Sequence, residues 1–264
     1  MATITRRDVV SLGAAVSIAA TGLRQASAQV TPGRAVSIEA RPSAISIDTA
    51  RTAVMVVDMQ NDFGSKGGMF ERAGIDISGI QKAVAPTARV LDAARKAGIK
   101  IIYLKMAYLA DLSDLGAADS VNRVRHLQLG VGQPVAAPDG TESRVLVRDT
   151  WNSEILDELK PQPEDTVIYK TRFSGFYNTD LHERLQAFGV RHLIITGCTT
   201  SICVESTVRD AMFRDYSCVL LGDCMNEPIG AGFSRSNHDA SLLSTEVLLG
   251  WVSDSHHFAA ALEV

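Results

Sequence analysis

The stretch Ile194–Asp210, IITGCTTSICVESTVRD, constrains the fold more than any other part of the chain. Val190–Thr196 is a short apolar run rich in β-branched residues, which predicts a buried parallel strand. Gly197 interrupts the run, and from about Ser201 the residues Val204, Val208, Ala211 and Met212 recur at helical spacing. Cys203 is therefore expected where a strand stops and a helix starts. Unpaired backbone N–H groups and the positive end of the helix dipole favour an anion at such a turn, so the thiol is expected to tend towards thiolate. A free cysteine is more often a buried structural residue. What favours chemistry at Cys203 is the company it keeps elsewhere in the chain.

Taken in order, the chain alternates strands and helices. Gln29–Ser46, rich in Pro, Ala and Ser, is expected to be a loosely held arm. Strands are predicted at Thr52–Asp58, Ile99–Leu104, Thr166–Tyr169, Val190–Thr196, Ser217–Leu221 and Thr245–Val252. Helices are predicted at Ile80–Ala97, closed by Gly98, then at Asn152–Leu159, Asp180–Phe188, from Ser201, and at Arg235–Leu243. Lys105–Val147 is long and weakly periodic, as lids and functional loops are. This order implies an α/β protein: a three-layer α/β/α doubly wound sheet of about six mainly parallel strands. The domain division is an N-terminal signal over 1–28, an arm over 29–50 and one large α/β domain over 51–264.

With 46% hydrophobic residues in 264, the chain can bury a full core without staples, and its formal net charge of −4 gives no argument for nucleic acid as a partner. Arg6-Arg7 precedes an apolar stretch, Val9–Leu23, and then Ala26-Ser27-Ala28, an A-x-A cleavage site. A charged start, an apolar middle and a small-residue exit make a secretory signal, here of the twin-arginine type, with cleavage after Ala28. A periplasmic location follows as an expectation, with no membrane contact once the signal is removed. Of the cysteines Cys198, Cys203, Cys218 and Cys224, no two are spaced as C-x-x-C. Cys218 and Cys224 could pair in an oxidising compartment, although free buried thiols are the default for all but Cys203. His126, His238, His256 and His257 match no metal spacing and read as surface or loop residues.

Three polar residues then stand at the carboxyl ends of three apolar strands: Asp58, Lys170 and Cys203. In an open α/β sheet those ends share the edge where ligands bind. Asp58 could take the thiol proton and return it to a leaving amine, while Lys170 could orient Asp58, lower its pKa and favour the thiolate. General acid–base help of that kind typically contributes ~10²–10⁴-fold. Singly, a turn acid or a surface lysine would be the better reading; the three together favour a nucleophilic site.

V-V-D-M-Q-N-D-F at Val56–Phe63, the strand-end Lys170 and T-G-C-T-T-S-I-C-V at Thr196–Val204 resemble the isochorismatase-like cysteine hydrolases over about Arg51–Leu262. The resemblance implies an Asp58–Lys170–Cys203 triad, a cis peptide at Cys198–Thr199, and an oxyanion hole of the Thr199 and Cys203 N–H groups. It also implies cleavage of the C–N bond of a small amide or ureido compound through a thioester, without cofactor, in a homodimer or homotetramer. Ser174–Thr179, Cys203–Thr207 and Gly250–Asp254 look most like ureidoacrylate amidohydrolases, and Gly67-Gly68 with Asp76–Ser78 look nearer to biuret hydrolase. The chain departs from the ureidoacrylate pattern at Met106, where those enzymes carry asparagine. The D-x-H metal motif of the nicotinamidases is absent, so no catalytic metal is expected.

Position suggests Asn61, Phe63, Tyr108, Trp151, Arg172, Phe176 and Tyr177 as the residues that bind substrate. Ordinary packing is at least an even alternative for each aromatic. Two other readings of the chain remain: a non-catalytic binding or thiol protein that retains the fold, and a redox protein in which Cys198 resolves Cys203.

Overall fold

The computed structural model describes residues 33–263, so the expected export signal and cleavage site lie outside the described residues. The chain starts as a hairpin, β1 (Ala35–Ile38) paired antiparallel with β2 (Ile45–Asp48). The expected loose arm is thus an ordered element from Ala35. Its residues alternate, with Val36, Ile38, Ile45 and Ile47 buried and Ser37 and Ser46 exposed. That period of two gives the hairpin an apolar face, which packs into the core beside Phe258 and Leu262.

β3 (Thr52–Val57) follows, then two single turns, α1 (Asn61–Gly64) and α2 (Met69–Arg72), and the long α3 (Ser78–Lys96). Next come β4 (Lys100–Met106), α4 (Val121–Gln128), the small hairpin β5 (Pro134–Ala136) and β6 (Glu142–Arg144), and β7 (Thr166–Lys170). The remainder is α5 (Leu181–Ala187), β8 (His192–Gly197), α6 (Glu205–Met212), β9 (Ser217–Met225), α7 (Asn237–Ser244), β10 (Trp251–Ser253) and α8 (Ser255–Glu263). Six strands form one sheet in the order β10-β9-β8-β3-β4-β7, and every neighbouring pair is parallel. The doubly wound α/β architecture expected from the sequence is the one observed.

β3 is buried along its whole length, and its side chains alternate between two cores. Val54 and Val56 join Ile101, Tyr103, Ile194 and α3 on one face; Ala53, Met55 and Val57 join Ile102, Leu104, Ile195 and α6 on the other. A central strand covered on both faces needs a continuous apolar run, which Thr52–Val57 supplies.

Two expected elements differ. Asn152–Leu159 is not one helix but two short 3₁₀ turns, Trp151–Ser153 and Asp157–Leu159. The last strand is only Trp251–Ser253, because Thr245–Leu249 continues α7 as a π-helical turn. Cys218 and Cys224 both lie on β9. The strand bulges between them, so Cys218 joins the core on one face of the sheet and Cys224 the core on the other, and all four cysteines are free. Among the described residues no helix is long and apolar enough to cross a membrane.

Candidate active site

The carboxyl ends of β3, β4, β7 and β8 meet at one edge, and backbone bonds extend the ladder past the strands. Asp58 N–H donates to the Leu104 carbonyl and Cys198 N–H to the Val57 carbonyl, each at 2.9 Å. Gly197 allows the second of these. A Cβ there would lie 2.0 Å from the Val57 oxygen, and its φ of +120° is open to glycine at little cost. Asp58 itself has φ +52°, which turns its side chain out of the strand's alternation.

Lys170, the last residue of β7, donates from Nζ to Asp58 Oδ2 at 2.7 Å, and neither side chain has more than 1% of its surface exposed. The same ammonium reaches Met106 Sδ at 3.5 Å and the Arg172 carbonyl at 3.3 Å, so its three hydrogens have three acceptors. Asp58 Oδ1 is buried without a hydrogen-bond partner. Cys203 retains 7% exposure and lies close enough to exchange electrostatic influence with both groups.

Burial raises the Asp58 pKa, and Lys170 opposes the shift without cancelling it. Lys170 would lose its proton more easily through burial, but the facing Asp58 and Cys203 raise its pKa overall. Burial, then the Asp58 charge, push the Cys203 thiol well above its ordinary value, with Lys170 pulling the other way. This corrects two expectations: Cys203 does not rest as a thiolate, and Asp58 is not a more acidic carboxylate than usual. In both cases desolvation outweighs the favourable neighbour. The Asp58 carboxyl group, with Oδ1 unpartnered, is a neighbour of Cys203 that is able to accept a proton.

Helical structure does not start as an ordinary α-turn. Thr200–Val204 is a π-turn, in which Val204 N–H donates to the Thr199 carbonyl at 3.2 Å, and α6 follows at Glu205. The peptide between Cys198 and Thr199 is cis, as the resemblance implies. Cys198 Sγ–H donates to the Asp58 carbonyl at 3.1 Å, and Cys198 joins the core on the opposite face of the sheet from Cys203. That hydrogen bond and placement favour a structural role for Cys198 over a resolving one.

The remaining candidates divide. Tyr108 is fully buried at the site, where its hydroxyl donates to the Thr171 carbonyl at 3.3 Å. Burial raises its pKa to about 12, and Lys170 and Cys203 are near enough to contribute. Arg172 follows Lys170; its Nη1 donates to the Thr171 carbonyl at 2.6 Å, and its guanidinium lies over the exposed Tyr177 ring at 5.6 Å. Asn61 is engaged at both ends of its amide, donating to the Trp151 carbonyl at 2.8 Å and accepting from Ser65 Oγ at 2.7 Å. Phe63 packs edge-on to Phe70 at 5.0 Å, and Phe176 stacks on Tyr216 at 6.1 Å. Those two rings are committed to the cores.

His126, expected on the surface, is buried. It sits on α4 with Nδ1 2.7 Å from the Asn122 carbonyl and its ring edge-on to Tyr108 at 5.5 Å. A carbonyl only accepts, so Nδ1 carries the hydrogen and Nε2 is left as an acceptor. Asn122 donates to Tyr108 Oη at 3.2 Å, while its Oδ1 is buried without a partner. α4 thus brings two residues to the site that the weak periodicity of Lys105–Val147 concealed.

Asp62, in α1, is a further buried acid. It is fully buried and accepts from Met69 N–H at 2.8 Å, Leu146 N–H at 2.6 Å and the Asn152 side-chain amide. One carboxylate thereby ties the loop after β3 to the long segment that covers it. Burial raises its pKa to about 6, against those three hydrogen bonds. Among the described residues, no group of three or more His, Cys, Asp or Glu is gathered in a way that could hold a metal ion.

Comparison with known proteins fits this geometry. The family model described as the isochorismatase domain matches residues 52–257. A ureidoacrylate amidohydrolase (RutB) of Caulobacter segnis is 38% identical over 229 residues, covering 87% of this chain and 92% of that one. The RutB protein of Variovorax paradoxus is 39% identical, covering 84% of this chain and 85% of its own. A crystal structure of a cysteine hydrolase from Pseudomonas syringae pv. phaseolicola superposes with a TM-score of 0.66 at 32% identity, covering 82% of this chain and 94% of the other. The chain belongs to the isochorismatase family.

Proposed function

We propose that this isochorismatase-family hydrolase cleaves the C–N bond of a small amide or ureido compound, with Cys203 as nucleophile, Asp58 as proton carrier and Lys170 as its electrostatic support. The observation that carries the reading is the buried Asp58–Lys170 pair at 2.7 Å, in which Asp58 keeps one oxygen unpaired and its carboxyl group interacts with the Cys203 thiol. Asp58 takes the Sγ proton as the sulfur attacks the carbonyl carbon. The Thr199 and Cys203 N–H groups hold the tetrahedral oxyanion at the helix start. Asp58 then protonates the leaving nitrogen, the C–N bond breaks, and the acyl group stays on sulfur as a thioester. Water, giving its proton to Asp58, adds to that thioester, and the thiol takes the proton back as the acid departs.

A ureido substrate is favoured by relatives at 38% and 39% identity that carry the name ureidoacrylate amidohydrolase. Met106 bears on which ureido compound is taken, because its thioether lies against Lys170. Ammonia release from a panel of ureido acids, biuret and simple amides tests the activity. Mass spectrometry of acid-quenched enzyme tests for the acyl adduct on Cys203. No turnover across the panel, or turnover that survives Cys203→Ala, would overturn the reading.

A further inference from the structure

Two elements later in the chain reach back to grip the turn that carries Cys203. Two residues beyond β9, Glu227 turns inward, is 2% exposed, and accepts the Ser201 N–H through Oε2. One residue earlier on the turn, the Thr200 hydroxyl meets His238 Nδ1 of α7 at 2.9 Å. Glu227 Oε1 and Ser201 Oγ are both buried without hydrogen-bond partners. Enclosing a carboxylate with one oxygen unpaired costs stability, so its presence at this turn calls for a compensating role.

We propose that Glu227 is a positioning residue: by fixing the Ser201 N–H it holds the turn Thr200–Val204 so that the Cys203 sulfur faces Asp58. The proposal rests on the reading of Cys203 as nucleophile. N–H groups at a helix start lack intrahelical partners, and a carboxylate there is also favoured by the helix dipole. With the Ser201 N–H occupied, it no longer competes with the Thr199 and Cys203 N–H groups for a substrate oxygen. Glu227 acts through backbone two residues before the nucleophile, so its effect falls on the alignment of the attacking atom. Misplacement by about 1 Å costs on the order of 10²-fold in rate.

The test compares Glu227→Ala with Glu227→Gln in the mature chain. Gln keeps an oxygen for the Ser201 N–H; Ala does not. One readout is steady-state hydrolysis of the ureido compound the wild type turns over. The other is the rate at which iodoacetamide labels Cys203, followed by peptide mass spectrometry with Cys203→Ala as the blank. Glu227→Ala is expected to lower kcat by ~10–100-fold with KM within about threefold, and to change the labelling rate of Cys203 by at least about threefold from wild type. Glu227→Gln is expected to stay within about threefold of wild type in both readouts. Unchanged kcat in Glu227→Ala overturns the proposal, as does an equal loss in both variants with labelling unchanged. If Glu227→Ala does not fold, a folded Glu227→Gln variant decides: kcat retained supports the clamp, and a loss of more than about tenfold overturns it. A wild type inert towards every compound would defeat the hydrolase reading instead, and the labelling rates would still judge the clamp.

Discussion

Lys170 Nζ lies 2.7 Å from Asp58 Oδ2, with the two side chains 0% and 1% exposed. A pair this deep is held by mutual need, because removing one charge strands the other. Lys170→Met is therefore expected to destabilise the protein by about 3–5 kcal/mol, and Asp58→Asn by a comparable amount. The double variant should lose much less than the sum. Denaturant unfolding of the three variants checks this, and strictly additive losses would contradict the coupling.

Cys203→Ala should fold and bind but not turn over. The expected loss in kcat is on the order of 10³-fold or more, as for other excised nucleophiles. Thermal unfolding should change little, since the side chain is small and retains some exposure.

The pH profile should carry the mark of burial. Burial raises the Asp58 pKa, so the acid limb of kcat/KM should lie above the range of an ordinary aspartate. Burial and the Asp58 charge keep the Cys203 thiol protonated, so no thiolate absorbance should be seen near neutral pH. An acid limb at an ordinary aspartate value would argue against Asp58 as the base.

Asp62 gives a stability prediction with a definite sign. Its folded pKa is about 6, raised from 3.8 by burial. Its contribution is thus fully present below about pH 4 and is lost as pH rises through 6, because only the folded state keeps the proton between those values. The stability of wild type relative to Asp62→Asn should fall by up to about 3 kcal/mol across that interval. Chemical denaturation at a series of pH values measures it, and a flat difference would refute it.

We propose that residues 1–28 direct export by the twin-arginine route. Expression of the full chain in a bacterium should give a periplasmic product whose intact mass places its first residue at Gln29. Replacing Arg6 and Arg7 together by lysine should leave the product unprocessed inside the cell.

The buried strands were legible because each is a continuous run of β-branched or apolar residues ending on a polar group, as at Asp58 and Lys170. Position along such a sheet then brought two of the candidate groups to one edge without knowledge of any contact. Less was legible where tertiary packing overrides local pattern. Thr245–Leu249 has the β-branched, apolar composition of a strand, yet it winds on from α7 with Leu248 79% exposed. The alternation of Val36, Ile38, Ile45 and Ile47 was present in the sequence but hidden among Pro, Ala and Ser. His126 and Glu227 had no signal at all, because a polar residue in a weakly periodic segment looks the same whether it faces solvent or a buried partner. The Cys203 pKa shift runs opposite to the expectation for a related reason: a sequence reveals a helix start, but not how completely that start is enclosed.

The π-turn at Thr200–Val204 has an evolutionary corollary. Deleting a single residue there would relax the backbone into an ordinary helix, which a stability screen would score as harmless. The same deletion would swing the sulfur about 100° around the helix axis, away from the acid. Length variation in this segment should therefore separate descendants that keep the architecture from those that keep the chemistry.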